Sequence, residues 1–215
     1  MASQFKISLL TPGDISDAST IFFASFNSAK AQTFFPPTAS GKRWFADSIT
    51  AALNDPSKGI IHVVVTDESE LADGEIGGGR RKVVAHSKWV KHAGGKPPKW
   101  DQMWRKEPAE GVSAEMLERE FFAPMERQQE RYLGERPHYY LETIATLPEY
   151  RKKGLASMLL HWGTDQADQL GWECYLNADE AAIPLYQKHG FVVMPETDPE
   201  TQSLPMARPV MKEFS

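Results

Sequence analysis

The stretch that decides the fold is YYLETIATLPEYRKKGLASMLL, residues 139–160. Its first part, residues 139–147, is an apolar run typical of a strand, and Pro148 then marks a turn. The basic segment RKKGLA, residues 151–156, opens a helical pattern. A helix start offers free backbone N–H groups and a positive dipole end, and Gly154 lets the main chain approach a ligand closely. These features favour a phosphate site, although the cluster alone is also typical of a solvated helix cap.

Two motifs in this region resemble the signature of the GNAT N-acetyltransferase superfamily. The first is the family pattern Gln/Arg-x-x-Gly-x-Gly/Ala, which is matched by Arg151, Gly154 and Ala156. The second is PLYQKHGF, residues 184–191, which is similar to the family's Leu-Tyr-x-x-x-Gly-Phe ending. The motifs stand in the family's order and cover residues 139–194. The resemblance implies an enzyme that uses acetyl-CoA.

The resemblance also implies which residues hold the cofactor. In the family the pantetheine arm lies beside the fourth strand, and the pyrophosphate sits on the turn that follows it. Many members have an asparagine after the fifth strand that contacts the cofactor. In this chain Asp179 occupies that position, so the nearby Asn177 is the candidate for the role. The expected cofactor-binding residues are Asn177, Tyr186, Ile144, Ala145, Thr146, Arg151, Lys152, Lys153, Gly154, Leu155, Ala156 and Ser157.

Two residues are candidates for proton transfer. Tyr186 matches the family tyrosine that approaches the cofactor sulfur, and a phenol is protonated at neutral pH, as a proton donor must be; the alternative is a core aromatic residue. Glu142 is the candidate general base, because a carboxylate within an apolar strand is costly unless it is paired or faces a cleft. The alternative for Glu142 is a bridge to Arg136 or His138. His86 and His138 are further base candidates.

Composition narrows the class of protein. A chain of 215 residues fits one domain, predicted here as residues 1–215 with an insertion at about residues 92–136. The single Cys174 cannot form an internal disulfide, and no Cys/His cluster has zinc spacing, so no metal is predicted. No signal peptide and no membrane-spanning apolar run is visible, which predicts a cytoplasmic protein without a membrane partner. A net charge of −5 argues against nucleic acid as a partner and tolerates a cationic amine.

The order of the predicted elements is that of an α/β (α+β) protein, and it agrees with the GNAT fold that the resemblance implies: a central mixed, mostly antiparallel twisted sheet of six to seven strands with helices on both faces. A helical insertion is expected between the third and fourth strands, with Pro124 kinking or splitting its helix. Gly77-Gly78-Gly79 is interpreted as a flexible turn, because it lacks the Gly-Lys-Ser/Thr ending of a phosphate loop. Strands are predicted at residues 5–10, 60–66, 82–90, 139–147, 172–176 and 191–193, with a further one within 205–214, and helices after Asp14, at 40–53, 113–133 and 151–170, and at Pro184.

The leading hypothesis is an N-acetyltransferase that moves an acetyl group from acetyl-CoA to the primary amine of a small molecule by direct attack in a ternary complex. The insertion either shapes the substrate pocket or decorates the surface. The alternatives are acetylation of a protein or peptide, and a non-catalytic module that binds acyl-CoA. The sequence leaves open whether the protein forms a homodimer.

Overall fold

A seven-stranded sheet forms the centre of the computed structural model, which describes residues 4–71, 79 and 81–210. The strands are β1 (Phe5–Leu9), β2 (Ile60–Leu71), β3 (Arg81–His92), β4 (His138–Thr146), β5 (Glu173–Ala178), β6 (Val192–Val193) and β7 (Leu204–Arg208). Their order across the sheet is β1-β2-β3-β4-β5-β7-β6. The β4–β5 pair is parallel and every other pair is antiparallel. The predicted mixed, mostly antiparallel sheet is confirmed.

Helices cover both faces of this sheet. They are α1 (Ile15–Ser25), α2 (Ala29–Phe34), α3 (Ala39–Asn54), α4 (Trp100–Met103), α5 (Ala114–Leu117), α6 (Ala123–Tyr132), α7 (Leu155–Leu170) and α8 (Ile183–Lys188). Neighbouring residues of β3 identify the two faces, because successive side chains of a strand point to opposite sides. Trp89 lies against Gly163 of α7, whereas Lys88 and His86 lie in a pocket with Phe45 of α3. A Cβ at position 163 would come within 2.2 Å of the Trp89 ring, so glycine there permits close packing.

β4 has two irregularities that shape the site. The register between β3 and β4 shifts where Lys88 pairs with Thr143 and Trp89 pairs with Leu141, so Glu142 is an extra residue in a β-bulge. On its other edge β4 pairs with β5 as far as Leu141, and residues 142–146 continue beyond this pairing. The two parallel strands therefore separate, and they leave an open edge along the second half of β4.

The insertion between β3 and β4 is helical, as predicted, and it is divided into short pieces. A π-helical segment, Glu118–Phe122, separates α5 from α6, and Pro124 lies in the first turn of α6. Proline has no N–H to donate, so the change of helix type falls where the regular bonding pattern is interrupted. The helix predicted at 113–133 is therefore a continuous helical run over residues 114–132 with a π-helical segment inside it.

Several details differ from the sequence-based expectation. The six-residue helix α2 had no predicted counterpart. Asp14 precedes α1, as expected for a cap, but its carboxylate accepts hydrogen bonds from the N–H and hydroxyl of Thr11 in the preceding turn. The triple-glycine interpretation concerns Gly77 and Gly78, which lie outside the described residues. Among the helices that are described, none is long and apolar enough to cross a membrane.

Candidate functional site

The turn between β4 and α7 has a backbone suited to an anion. Lys152 has φ 63° and Gly154 has φ 83°, and both values are left-handed, whereas Lys153 between them is not left-handed. This alternation is typical of a backbone nest, in which successive N–H groups converge. Gly154 is the N-cap of α7 and supplies no side-chain cap, so the first N–H groups of the 16-residue helix remain available.

The surroundings of this turn also fit a phosphate group. Arg151, Lys152, Lys153 and Gly154 are all exposed. A Cβ at Gly154 would meet no protein atom within 4 Å, so the space beside the turn is open. The segment 151–157 thus brings together cationic side chains, free N–H groups and room for a ligand. The predicted pyrophosphate role of these residues remains a prediction, and their geometry is compatible with it.

The open edge of β4 presents backbone groups at two of the three predicted pantetheine positions. Leu147 donates its N–H to the carbonyl of Val84 on β3 at 3.0 Å. Because successive residues of a strand direct their backbone groups to opposite edges, those of Ile144 and Thr146 point to the open edge, whereas those of Ala145 point to β3. The Thr146 carbonyl also accepts a 3.4 Å bond from the Ser25 hydroxyl. The N–H and carbonyl groups of Ala145 are therefore not available to a ligand at this edge.

Glu142 is buried and paired. Its Oε1 accepts a 2.7 Å hydrogen bond from Nε1 of Trp104, and its Oε2 forms an ion pair with Nζ of Lys88. The side chains of Lys88 and Glu142 are 4% and 6% exposed, so water does not solvate the pair. Burial lowers the pKa of Lys88, and the Glu142 carboxylate opposes that change.

The alternative partners proposed for Glu142 from the sequence are wrong. His138 instead contacts the side-chain amide of Gln129 at 2.8 Å and the carbonyl of Arg136 at 2.7 Å. Arg136 pairs with Glu173. Sequence reasoning missed Lys88 and Trp104, because both lie far from Glu142 along the chain. The one available signal was Lys88 itself, since a charge inside a central strand needs a partner.

Tyr186 lies in α8 and is 7% exposed. Its ring makes an edge contact with Phe191, with the ring centroids 6.1 Å apart. Burial, with a smaller contribution from the charge of Asp179, raises the pKa of Tyr186 to about 12. The phenol is therefore protonated at neutral pH, as a proton donor must be. Its predicted catalytic role remains a prediction.

A cleft of about 270 Å³ opens beside β4, and it contains Glu142 and Asn177. Residues of α1, α2, the insertion and the loop before β7 complete its walls. The Asn177 Oδ1 accepts hydrogen bonds from Gln128 at 2.8 Å and from the Tyr175 hydroxyl at 3.1 Å. Asn177 thus lies at the cleft, and its contact with a cofactor remains a prediction. The insertion contributes Trp104 and Phe121 to the walls, which agrees with a pocket-shaping role rather than with surface decoration.

The other histidine candidates lie in buried networks. Nδ1 of His62 and Nε2 of His86 are 2.9 Å apart, and the two rings stack. Burial lowers the pKa of His86 to about 3 and that of His138 to about 4. His86 is 1% exposed and His138 is fully buried. These features are typical of structural histidines. Within residues 4–71, 79 and 81–210, no group of three or more His, Cys, Asp or Glu side chains is arranged to hold a metal ion.

Comparison with known proteins shows which family this chain resembles. Residues 109–191 match the model of the Acetyltransferase (GNAT) family. This match, together with the sheet that separates at β4 and β5, confirms the resemblance to the GNAT superfamily that the two motifs indicated. A search of curated proteins gave no significant match.

Three solved structures with the same fold illustrate the likeness. An acetyltransferase from Corynebacterium glutamicum, described as histone acetyltransferase HPA2 and related acetyltransferase, is 20% identical with a TM-score of 0.57, and the match covers 99% of this chain and 100% of that one. The GNAT family N-acetyltransferase YhbS from Escherichia coli, solved with CoA, is 16% identical with a TM-score of 0.51 and coverages of 97% and 82%. The ribosomal-protein-S18-alanine N-acetyltransferase from Escherichia coli is 18% identical with a TM-score of 0.51 and coverages of 98% and 97%. At these identities the likeness establishes the fold.

Proposed function

We propose that this protein is an acetyl-CoA-dependent N-acetyltransferase that acts on the primary amine of a small molecule by direct attack in a ternary complex. The observation that carries the proposal is the separation of β4 from β5, which lies between a turn with a nest-like backbone and a walled cleft. Such an arrangement has room for an extended cofactor along β4, with its phosphates at one end and an acceptor at the other. Bound acetyl-CoA would supply the acetyl group as a thioester.

Backbone groups would bind and orient most of the acetyl-CoA molecule. The N–H groups of residues 152–157 would hold the pyrophosphate, with Arg151 and the two lysines contributing positive charge. The backbone groups of Ile144 and Thr146 at the open edge would bond to the pantetheine amides, much as an added strand does. These contacts fix the reactive carbon beside the cleft, and such positioning removes much of the entropic barrier to a two-substrate reaction.

Proton transfer falls to two side chains. Glu142 would accept the proton of the incoming ammonium, because a carboxylate oxygen has two lone-pair sites and Oε1 can accept a second bond beside that from Trp104. The amine nitrogen then forms a bond to the acetyl carbon, and the carbon–sulfur bond breaks. Tyr186 would give its proton to the departing thiolate. The nitrogen of the new amide would then give its second proton to the Tyr186 phenolate, and the proton on Glu142 would pass to solvent. An ammonium and a thioester thus become an amide, a thiol and one released proton.

The experiment combines binding with turnover. Acetyl-CoA should raise the melting temperature of the protein, and an amine panel that includes peptides should then release free thiol. Thiol release with peptides alone would favour a protein acetyltransferase. Stabilisation without thiol release would favour an acyl-CoA-binding module. If acetyl-CoA neither stabilises the protein nor binds in calorimetry, the proposal is wrong.

A further inference from the structure

The aromatic part of the cleft lining bears on the nature of the acceptor. Besides Phe22 and Trp104, five rings at or near α1, α2 and the insertion line the cleft, and we refer to these five as the aromatic wall: Phe26, Phe34, Phe35, Phe121 and Phe122. Phe26 and Phe121 are half-buried, so they have surface to offer a ligand, whereas the other three are buried behind them. Met125, also half-buried, lies beside this wall.

The rings of the wall support one another. The Phe121 ring lies 5.2 Å from that of Phe34, 5.0 Å from that of Phe35 and 4.9 Å from that of Phe122, measured between centroids. The last two contacts are edge-to-face, which is a favourable geometry for aromatic pairs. Phe121 is therefore held by its neighbours, and the wall is a formed surface rather than a set of independent side chains.

Polar groups line the cleft where β4 and β5 separate. Glu142 and Thr143 of β4 and Asn177 of β5 lie there, where the two strands separate. Thr143 Oγ1 and Asn177 Nδ2 are buried without a hydrogen-bond partner in the described part of the chain. The cleft lining thus combines polar groups where the strands separate with aromatic rings, and Trp104, which bonds Glu142, lies 5.7 Å from the Phe35 ring and 6.1 Å from the Phe122 ring.

We infer that the acceptor is a primary amine on a short chain attached to a single flat apolar ring, and this inference rests on the proposed function. A ring of this kind would pack against Phe26 and Phe121 while its ammonium lies at Glu142. The cleft, at about 270 Å³, has room for an acceptor of this size.

A linear polyamine fits this cleft poorly. Its second ammonium would lie near phenylalanine rings and near the Lys30 ammonium, and the exposed Asp179 and Glu120 are the acidic side chains that line the cleft besides Glu142. Glu120 is the acidic side chain that the insertion contributes to the cleft, and it pairs with Arg119 at 2.6 Å. An isolated cation in such surroundings is costly unless it is paired.

The test compares three amines with acetyl-CoA in the full-length protein: 2-phenylethylamine, n-butylamine and spermidine. The expected kcat/KM for 2-phenylethylamine exceeds that for n-butylamine by about tenfold or more, because the ring buries additional apolar surface. Equal or higher values for n-butylamine or spermidine would overturn the inference and leave the proposed acetyltransferase intact. Absence of thiol release with every amine and peptide would instead refute the proposed function itself.

Two variants test whether the aromatic wall is responsible for the preference for 2-phenylethylamine over n-butylamine. Phe121→Ala should lower the ratio of kcat/KM between 2-phenylethylamine and n-butylamine by about fivefold, since it removes the ring that contacts the acceptor. Trp172→Ala is the matched control, because Trp172 is also a half-buried aromatic residue but lies outside the cleft; it should leave the ratio unchanged. If Phe121→Ala fails to fold, Phe121→Leu serves in its place. An unchanged ratio in the folded variant would contradict the inference.

Discussion

Tyr186 is a buried phenol within a helix, and two roles suit that position. A core aromatic would act through its ring, whereas a proton donor acts through its hydroxyl. Tyr186→Phe removes only the hydroxyl and keeps the edge contact with Phe191. We expect kcat to fall by about 10²-fold, the lower range for a lost general acid, with little change in acetyl-CoA affinity. Thiol-release kinetics and calorimetry measure the two quantities, and full turnover in the variant would leave Tyr186 with the core role.

The ion pair between Lys88 and Glu142 leads to a second prediction, which concerns the free energy of unfolding. Lys88→Met would leave the Glu142 carboxylate buried with Trp104 as its remaining donor. Removal of one partner from a buried pair costs about 3–5 kcal/mol of the free energy of unfolding. The double variant Lys88→Met/Glu142→Met should lose much less, because no charge is then left unpaired. Urea unfolding of both variants gives these energies, and a loss below about 1 kcal/mol in the single variant would contradict the buried-pair interpretation.

Among the elements, α7 allows a test of the predicted phosphate-binding turn, because it has a glycine at each end. Gly154 and Gly171 are the N-cap and C-cap of this helix, with φ of 83° and 65°. A Cβ at either position would meet no atom within 4 Å. Gly154→Val and Gly171→Val therefore impose a similar left-handed strain, about 1–2 kcal/mol. Only the first should weaken acetyl-CoA binding, by about tenfold or more, because only it places a branched side chain where the phosphate would lie.

The comparison of these two variants separates binding from stability. Thermal unfolding without ligand should give similar losses for both, and calorimetry with acetyl-CoA should distinguish them. Unchanged affinity in Gly154→Val would show that the phosphate lies elsewhere. Equal loss of affinity in the two variants would indicate that strain in α7, rather than contact, is responsible.

The same element shows what the sequence could predict. The strand, turn and helix of residues 139–170 follow from local periodicity and from glycine at both helix ends, so their order was predictable. The partners of Glu142 were not, because Lys88 reaches it across a strand pair and Trp104 comes from an insertion without a family pattern. The short helix α2 was also missed, since six residues carry too little periodicity to be recognised.

For the molecule as a whole, buried histidines couple stability to pH. His62, His86 and His138 lie within the interior, and burial lowers the pKa of each below the ordinary value of 6.5, to about 3 for His86 and about 4 for His138. The folded protein keeps these rings neutral at pH 5, whereas the unfolded chain binds protons as the pH falls below about 6.5. The free energy of unfolding therefore decreases as the pH falls from 6.5 toward 4. The lowered pKa values of Asp67 and Asp198 act below 3.8, outside this range.

This coupling predicts a loss of about 2 kcal/mol per histidine between about pH 7 and pH 5, since each pKa unit corresponds to about 1.4 kcal/mol. Urea unfolding at the two pH values measures the total. His138→Gln should reduce the loss by one histidine's share, because glutamine keeps hydrogen-bonding capacity toward Gln129 without gaining a proton. His161→Gln is the matched control, since His161 is exposed on α7 and contacts only His189 among the described rings. It should change the loss much less than His138→Gln does, because its effect is limited to its contribution to the lowered pKa of the half-buried His189. A stability that stays constant from pH 7 to pH 5 would mean that the interior histidines accept protons in place, and the packing around β3 and β4 would then have to admit water.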